Sequence, residues 1–254
     1  MLKQINLKNK IALITGAGKG IGKACSIALA EAGAKVIIIS RTENDLKKLT
    51  KIIKKTKGTS KFFVCDVTDT QKFNSIVNSL PKLDILVNNA GTNIPEHFTK
   101  VKKNSLDYMI NLNLKASFNV AQICVKKMLR YKNRKKIGGS VINISSQLGK
   151  VGASLRSVYC MTKFGIEGLT RGMAIDLSAS NIRVNAVCPT LVETPMVKAY
   201  LKNKKLKNEM IKKIPLGRVA KDSDVATAVA FLAADSSSMI TGTSLFVDGG
   251  WTAQ

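Results

Sequence analysis

The chain has 254 residues, 45% of them hydrophobic, and a formal net charge of +25 at pH 7. That length buries a sizeable core and fits a single α/β domain over residues 1–254. Only seven of the 41 basic residues are arginines and 5% of the chain is aromatic. Base readout relies on bidentate arginine and stacked rings, so a nucleic-acid partner is not expected and the lysines read as solvated surface.

The start, Met1 to Lys10, is polar, and the first apolar run, Ile11 to Ile14, is far too short for a membrane span or a signal peptide. Short β-branched runs then recur at Ile11–Ile14, Val36–Ile39, Phe62–Val64, Ile85–Val87, Val141–Ile144, Val184–Val187 and Leu245–Val247. Helical periodicity fills the stretches between most of them: Ile21–Ala32, Gln71–Ser79, Lys103–Tyr131, Ser157–Ala179 and Ser223–Ala234. A further helix is predicted to start at Thr42, with Asp45 completing a capping box, and to be closed by Gly58. Apolar strands alternating with helices predict a doubly wound parallel sheet of about seven strands, flanked by helices. The lysine-rich segment 195–215 follows the sixth strand and is predicted to be a lid over the carboxyl ends of the strands, where open α/β sheets bind ligands.

Cys25, Cys65, Cys124, Cys160 and Cys188 form no C-x-x-C pair and have no histidine cluster beside them. Neither a disulfide framework nor a metal site is expected, and a reduced, cytoplasmic setting is. His97 is the single histidine and no G-x-S-x-G occurs, which sets hydrolysis by a serine triad aside.

Directly after the first strand comes Thr15-Gly16-Ala17-Gly18-Lys19-Gly20-Ile21-Gly22, and then a helix. Strand, glycine loop and helix in that order suit a pyrophosphate, which the loop amides and the helix N-terminus can approach. The second strand ends in Ser40-Arg41, where an acidic residue would serve NAD. Arg41 and Lys19 can neutralise a 2′-phosphate, so NADP(H) is favoured and NAD(H) stays possible. Farther on, Tyr159 and Lys163 stand one helical turn apart, with Ser146 thirteen residues before the tyrosine. A nearby ammonium favours a phenolate, so this spacing predicts a tyrosine with a lowered pKa that shuttles a proton.

With T-G-x-x-x-G-x-G, Asn88-Asn89-Ala90-Gly91, Ser146 and Tyr159-x-x-x-Lys163 in this order, the chain resembles the classical short-chain dehydrogenase/reductase family over essentially its whole length. The resemblance implies a Rossmann-like fold and a catalytic set of Asn113, Ser146, Tyr159 and Lys163. Asn111 and Ser145 compete for the first two places. The following Leu-Lys-Ala-Ser-Phe favours Asn113, and the gap to Tyr159 favours Ser146. It further implies cofactor contacts from Gly16, Gly18, Lys19, Gly20, Ile21 and Gly22, from Ser40, Arg41, Asp66 and Val67, and from Asn89, Ala90 and Gly91. Tyr159, Lys163, Pro189, Thr190, Val192 and Thr194 complete that list. Pro189-Thr190 stands where the family usually has Pro-Gly, and is similar to a branch that reduces small polar carbonyls. Substrate contacts are expected from Asn93, Ser146, Gln147, Arg156, Tyr159, Thr190 and Glu193.

The implied reaction is an NADP(H)-dependent interconversion of a secondary alcohol and a ketone on a sugar, polyol or hydroxy acid. An alternative is 3-oxoacyl-[acyl-carrier-protein] reduction, in which the basic surface would meet an acidic carrier protein. A catalytically silent nucleotide-binding regulator is disfavoured, because none of the four catalytic residues is lost. The long helices imply a homo-oligomer, a dimer or tetramer.

Overall fold

The structure is a computed structural model that describes residues 5–195, 197 and 204–254, the side chains being described from 207 in the last stretch. Seven parallel strands form one sheet in the order β3-β2-β1-β4-β5-β6-β7. They are β1 Ile11–Thr15, β2 Lys35–Ser40, β3 Thr59–Val64, β4 Ile85–Asn88, β5 Gly139–Ile144, β6 Ile182–Pro189 and β7 Ser244–Val247. Each contains the apolar run expected from the sequence. β1 and β4 are paired neighbours at which the strand order reverses, so the connections leaving their carboxyl ends run in opposite directions and open a crevice there.

Both faces of the sheet are covered. Ala12, Ile14, Val36 and Ile38 pack on one side with helices α1 (Gly20–Glu31) and α2 (Glu43–Lys55). Leu13, Ile37, Ile39 and Leu86 pack on the other with α3 (Thr70–Asn78) and the long helical stretch from Lys103. Alternate residues of β1 and β2 thus bury to opposite faces, as the period of a strand requires. The stretch expected as one helix from Lys103 to Tyr131 is α4 (Lys103–Ile110), a π-helical segment (Asn111–Ala116) and α5 (Ser117–Leu129). A short α6 (Arg134–Ile137) follows, then α7 (Ser157–Leu177). Helix α8 (Lys204–Lys212) lies within the segment expected as a lid, and positions 196 and 198–203 of that segment fall outside the described residues. Helix α9 (Asp222–Ala233) packs against α1.

Two local expectations need correction at α2. Thr42 makes no side-chain capping bond, and Asp45 instead forms an ion pair with Lys19 of the glycine loop at 3.2 Å. At the other end, Lys57 takes the left-handed conformation, with φ of 59°, while Gly58 lies one residue beyond it and donates to the Ile53 carbonyl at 3.0 Å. Lys57 also donates to Lys54, which completes a Schellman motif. Glycine is needed at 58 for space: an added Cβ would come within 2.9 Å of Ala30 and Ile53.

Opposite the carboxyl ends of the strands, Asp84 is buried and accepts from the Ile11 amide at 2.8 Å and from the Arg134 guanidinium at 3.3 Å. Lys82 pairs with its other oxygen at 3.2 Å, and Arg134 also donates to the Met128, Gly138 and Leu83 carbonyls. Removing one member of a buried pair strands the other charge. Arg134→Met is therefore expected to cost about 3 kcal/mol in urea unfolding, at the low end of the usual range because Lys82 remains. A cost below about 1 kcal/mol would show the pair to be dispensable.

Candidate active site

The glycine loop is built from close approaches. Gly16 and Gly20 have positive φ, 63° and 53°. A Cβ on Gly22 would lie 2.4 Å from the Gly16 carbonyl oxygen and 2.6 Å from Asn89 Nδ2, and one on Gly20 would lie 2.9 Å from the Thr194 methyl. Gly18 packs equally closely on Ser40 and Asp45. The loop is thereby pressed against the ends of β2 and β4 and the segment after β6, with backbone amides and the start of α1 left to face a ligand.

Asn89 braces this loop from below. Its Nδ2 donates to the Thr15 carbonyl at 2.9 Å and the Gly16 carbonyl at 3.2 Å, while the Asn89 and Ala90 amides donate to Thr15 Oγ1. Asn88 points into the sheet, donating to the Ser117 carbonyl at 2.9 Å and to Asn143 Oδ1, and Asn143 passes the chain on to Thr170 of α7.

Just past β2, Arg41 is largely exposed, lies beside the Tyr108 phenol and pairs with Asp66 at 3.6 Å. Burial alone would raise the Asp66 pKa, but bonds from the Thr68 amide and hydroxyl, together with Arg41, hold it below the usual carboxylate value. Val67 is buried next to it. Lys19, Lys23 and Lys48 line an adjoining cleft of about 300 Å³ together with Asp45 and Glu193. Glu193 is exposed there, beside the glycine loop.

The catalytic set converges between β5 and α7. The Ser146 hydroxyl accepts from the Leu148 amide at 3.1 Å, donates to Gln147 Oε1 at 3.0 Å and is hydrogen-bonded to the Tyr159 phenol. Gln147 is thus occupied by the serine. The Ser145 amide continues the β5–β6 ladder, and its hydroxyl lies near Gly149, on the side where Glu167 also packs. Lys163 Nζ donates to the Ile144 carbonyl at 2.8 Å and stands 5.5 Å from the centre of the Tyr159 ring. Asn113 is buried in the π-helical segment, whereas Asn111 is exposed. Its Oδ1 accepts from the Thr92 amide at 2.8 Å, and its Nδ2 donates to the Thr92 carbonyl at 2.8 Å and to Thr162 Oγ1 at 3.2 Å. A Cβ on Gly91 would meet Asn113 Oδ1 at 3.2 Å.

One expectation about the tyrosine is corrected. Its pKa is not lowered: burial pushes the Tyr159 phenol up to about 12, against the opposing influence of the Ser146 bond and of Arg156. The lysine amine is tied to the Ile144 carbonyl, and its own pKa is pushed down to about 8 by burial, with Cys188 and Glu167 opposing. Arg156, the residue before α7, donates to the Leu155 carbonyl at 3.2 Å and lies close enough for its charge to act on the phenol.

Past β6, the Thr190 amide donates to the Val247 carbonyl at 3.3 Å, Val192 forms a bridge with Ala220, and Thr194 closes onto Gly20. The hydroxyl of Thr190 and Oδ1 of Asn93 are buried with no protein partner. Those unpaired oxygens, with the cradle that a Cβ at Gly16, Gly20 or Gly22 would fill, fit a dinucleotide and a polar substrate. Glu167 and Thr162 are given no role by the sequence reading, and Thr15 enters it only as the first residue of the glycine motif. An acidic residue one helical turn past Lys163 was the available signal for the first.

The family model described as enoyl-(acyl carrier protein) reductase matches residues 16–252. A 3-oxoacyl-[acyl-carrier-protein] reductase of Thermotoga maritima is 37% identical over 250 residues, 97% of this chain and 99% of that protein. L-xylulose reductase of Bos taurus is 38% identical over 249 residues, 98% of this chain and 99% of that protein. The solved gluconate 5-dehydrogenase of Burkholderia cenocepacia, in complex with NADP and tartrate, superposes with a TM-score of 0.92 at 29% identity, covering 100% of this chain and 99% of that one. The glycine cradle, the Ser146–Tyr159–Lys163 cluster and this likeness along the whole chain lead to one conclusion: the protein belongs to the classical short-chain dehydrogenase/reductase family, oxidoreductases that act on CH–OH groups with a nicotinamide cofactor.

Proposed function

We propose that the protein is an NADP(H)-dependent reductase of small polar ketones, interconverting a secondary alcohol and a ketone on a sugar, polyol or hydroxy acid. The observation that carries the substrate class is the pair of unpartnered buried oxygens, Thr190 Oγ1 and Asn93 Oδ1, in the segments after β6 and β4. Buried oxygens without partners disfavour an apolar ligand and favour one with hydroxyl groups. The similarity to L-xylulose reductase and gluconate 5-dehydrogenase supports the same class. Arg41 and Lys19 support NADP over NAD, since neither is an acidic partner for ribose hydroxyls.

In this reading, Gly16 to Gly22, Arg41, Asp66, Val67 and Thr194 hold the dinucleotide, with Asn89 holding the loop in shape. Bound NADPH supplies a hydride to the carbonyl carbon. Ser146 and Tyr159 donate hydrogen bonds to the carbonyl oxygen, which gains negative charge in the transition state. Tyr159 then gives up its proton, and the Lys163 ammonium stabilises the phenolate that remains. Asn113 fixes the backbone around Thr92 and the first turns of α7. Helix α8 is the proposed lid, and its downstream end is anchored where Leu216 donates to the Gly249 carbonyl at 3.1 Å. Exposed Phe118, Met161 and Phe164 on α5 and α7 support assembly of copies of the chain through these helices. No helix among the described residues is long and apolar enough to cross a membrane, and a cytoplasmic location remains part of the proposal.

The second reading, 3-oxoacyl-[acyl-carrier-protein] reduction, is favoured by the T. maritima relative and by the net charge of +25. Steady-state assay of a panel of keto-sugars and keto-acids against an acetoacetyl thioester, with both cofactors, separates the two. The expected result is a kcat/KM at least tenfold higher for a polar ketone, and at least tenfold higher with NADPH than with NADH. A preferred thioester selects the second reading, and equal use of NADH removes the cofactor assignment.

A pH dependence follows from the buried pair. A phenol near 12 stays protonated through neutral pH, so ketone reduction has its acid in place, while alcohol oxidation needs the phenolate. Oxidation is expected to rise steadily from pH 7 to 10, and reduction to decline above about 8 as Lys163 loses its proton. Flat profiles in both directions would contradict these roles.

A further inference from the structure

Tyr159, Lys163, Glu167 and Arg171 follow one another at intervals of one turn along a single stripe of α7. The third of them plays no part in the mechanism above, yet its carboxylate is buried in the same wall, with the residue 5% exposed. A lone buried carboxylate is costly, so its partners matter. Cys188 at the end of β6 donates its thiol to Oε1 at 3.3 Å, Ser244 of β7 donates its hydroxyl to Oε2, and the exposed Arg171 reaches Oε2 at 3.8 Å. Gly149 provides the space, because a Cβ there would lie 3.0 Å from Glu167 Cγ.

We infer that Glu167 is a positioning residue whose buried carboxylate sustains the positive charge of Lys163 and ties α7 to the strand end that carries Pro189 and Thr190. The inference rests on the proposed roles of Tyr159 and Lys163. The surroundings of the lysine leave the task to this carboxylate. From α7 itself, Lys163 faces Tyr159 and Glu167. From β6 it faces Cys188, a thiol held protonated by burial and by the adjacent Glu167. From the end of β5 it meets the Ile144 carbonyl, which does not titrate. Asp107 of α4 and Lys115 of the π-helical segment are exposed, and Lys150 is turned onto the Phe246 ring at 5.2 Å. Burial drives Lys163 towards the neutral amine, and Cys188 and Glu167 oppose that drift. With the thiol neutral, the carboxylate is the anion that does so. The two hydrogen bonds it accepts, from different strands, fix where that anion stands relative to the lysine.

The test is a pH titration of full-length protein carrying lysine labelled with ¹³C at Cε. The Lys163 resonance is assigned as the one absent from Lys163→Met. Wild type is expected to titrate near pH 8, Glu167→Gln at least one unit lower, and Glu167→Asp within a few tenths of wild type. The decline of ketone reduction at high pH should shift by the same amount in Glu167→Gln, about a fivefold loss of kcat at pH 8 with little change in the KM for NADPH. Equal midpoints in wild type and Glu167→Gln, or an Asp variant shifted as far as the Gln variant, would reduce Glu167 to a packing role and overturn the inference. Should Glu167→Gln fail to fold, a wild-type midpoint below pH 7 would overturn it as well. Because the titration needs no substrate, it decides on Glu167 even if the assays find that the wild type reduces no ketone, a result that would remove the proposed function instead.

Discussion

Asn113 sits where three parts of the molecule must be held in register. Its amide closes a two-way bond with the backbone of Thr92, in the segment after β4, and reaches the hydroxyl of Thr162, which in turn donates to the Tyr159 carbonyl at 2.8 Å. A regular α-helix from Lys103 to Leu129 would rotate that side chain by its fixed 100° step per residue; the π-helical segment Asn111–Ala116 widens the turn instead. The position of the first turns of α7, and with them of the tyrosine and lysine, relative to the glycine loop depends on this contact. Asn88, Asn143 and Thr170 repeat the arrangement one layer deeper, joining β4, β5 and α7.

The site concentrates polar groups in a place the fold makes dry. Ser146, Gln147, Lys163, Glu167 and Thr190 are all buried at the carboxyl ends of β5 and β6 or on α7. Burial raises the phenol and lowers the ammonium, so each group is displaced towards its neutral form. In the proposed ketone reduction this is an advantage at the tyrosine, proposed to begin as an acid, and a liability at the lysine, proposed to carry charge. The fixed bond to the Ile144 carbonyl and the groups around Glu167 counter the liability. The opposite end of the sheet solves a similar problem with Asp84 and Arg134, where the charges brace structure alone.

Much of this was legible in the residues. Strands buried on both faces have to be continuous apolar runs, and so all seven could be read. The glycine loop was equally plain, since close backbone approach leaves no alternative to glycine at 16, 20 and 22. Local capping was less so: Asp45 is drawn to Lys19 across the loop, and Lys57 rather than Gly58 adopts the left-handed turn, both decided by tertiary neighbours. The break at Asn111 was hidden because a π-helical insertion keeps the apolar spacing nearly helical. The direction of the Tyr159 shift was misjudged because spacing shows which charge is near but not how deeply the phenol is buried. Glu193 lines a cleft with Lys19 and Lys23, a proximity that its place in the chain after Thr190 does not show.

The central claim of the proposed function is that Tyr159, bonded to Ser146 and beside Lys163, delivers the proton, while the cofactor is held by groups other than its hydroxyl. Replacing Tyr159 by Phe removes one hydroxyl from a half-buried ring and should leave the fold intact. The direct measurement pairs NADPH binding by calorimetry with single-turnover reduction of the best polar ketone in the Tyr159→Phe variant. The account predicts an NADPH affinity within about threefold of wild type and a reduction rate lower by about 10²–10⁴-fold, the usual contribution of a positioned acid. A variant that keeps more than about a tenth of the wild-type rate would contradict it.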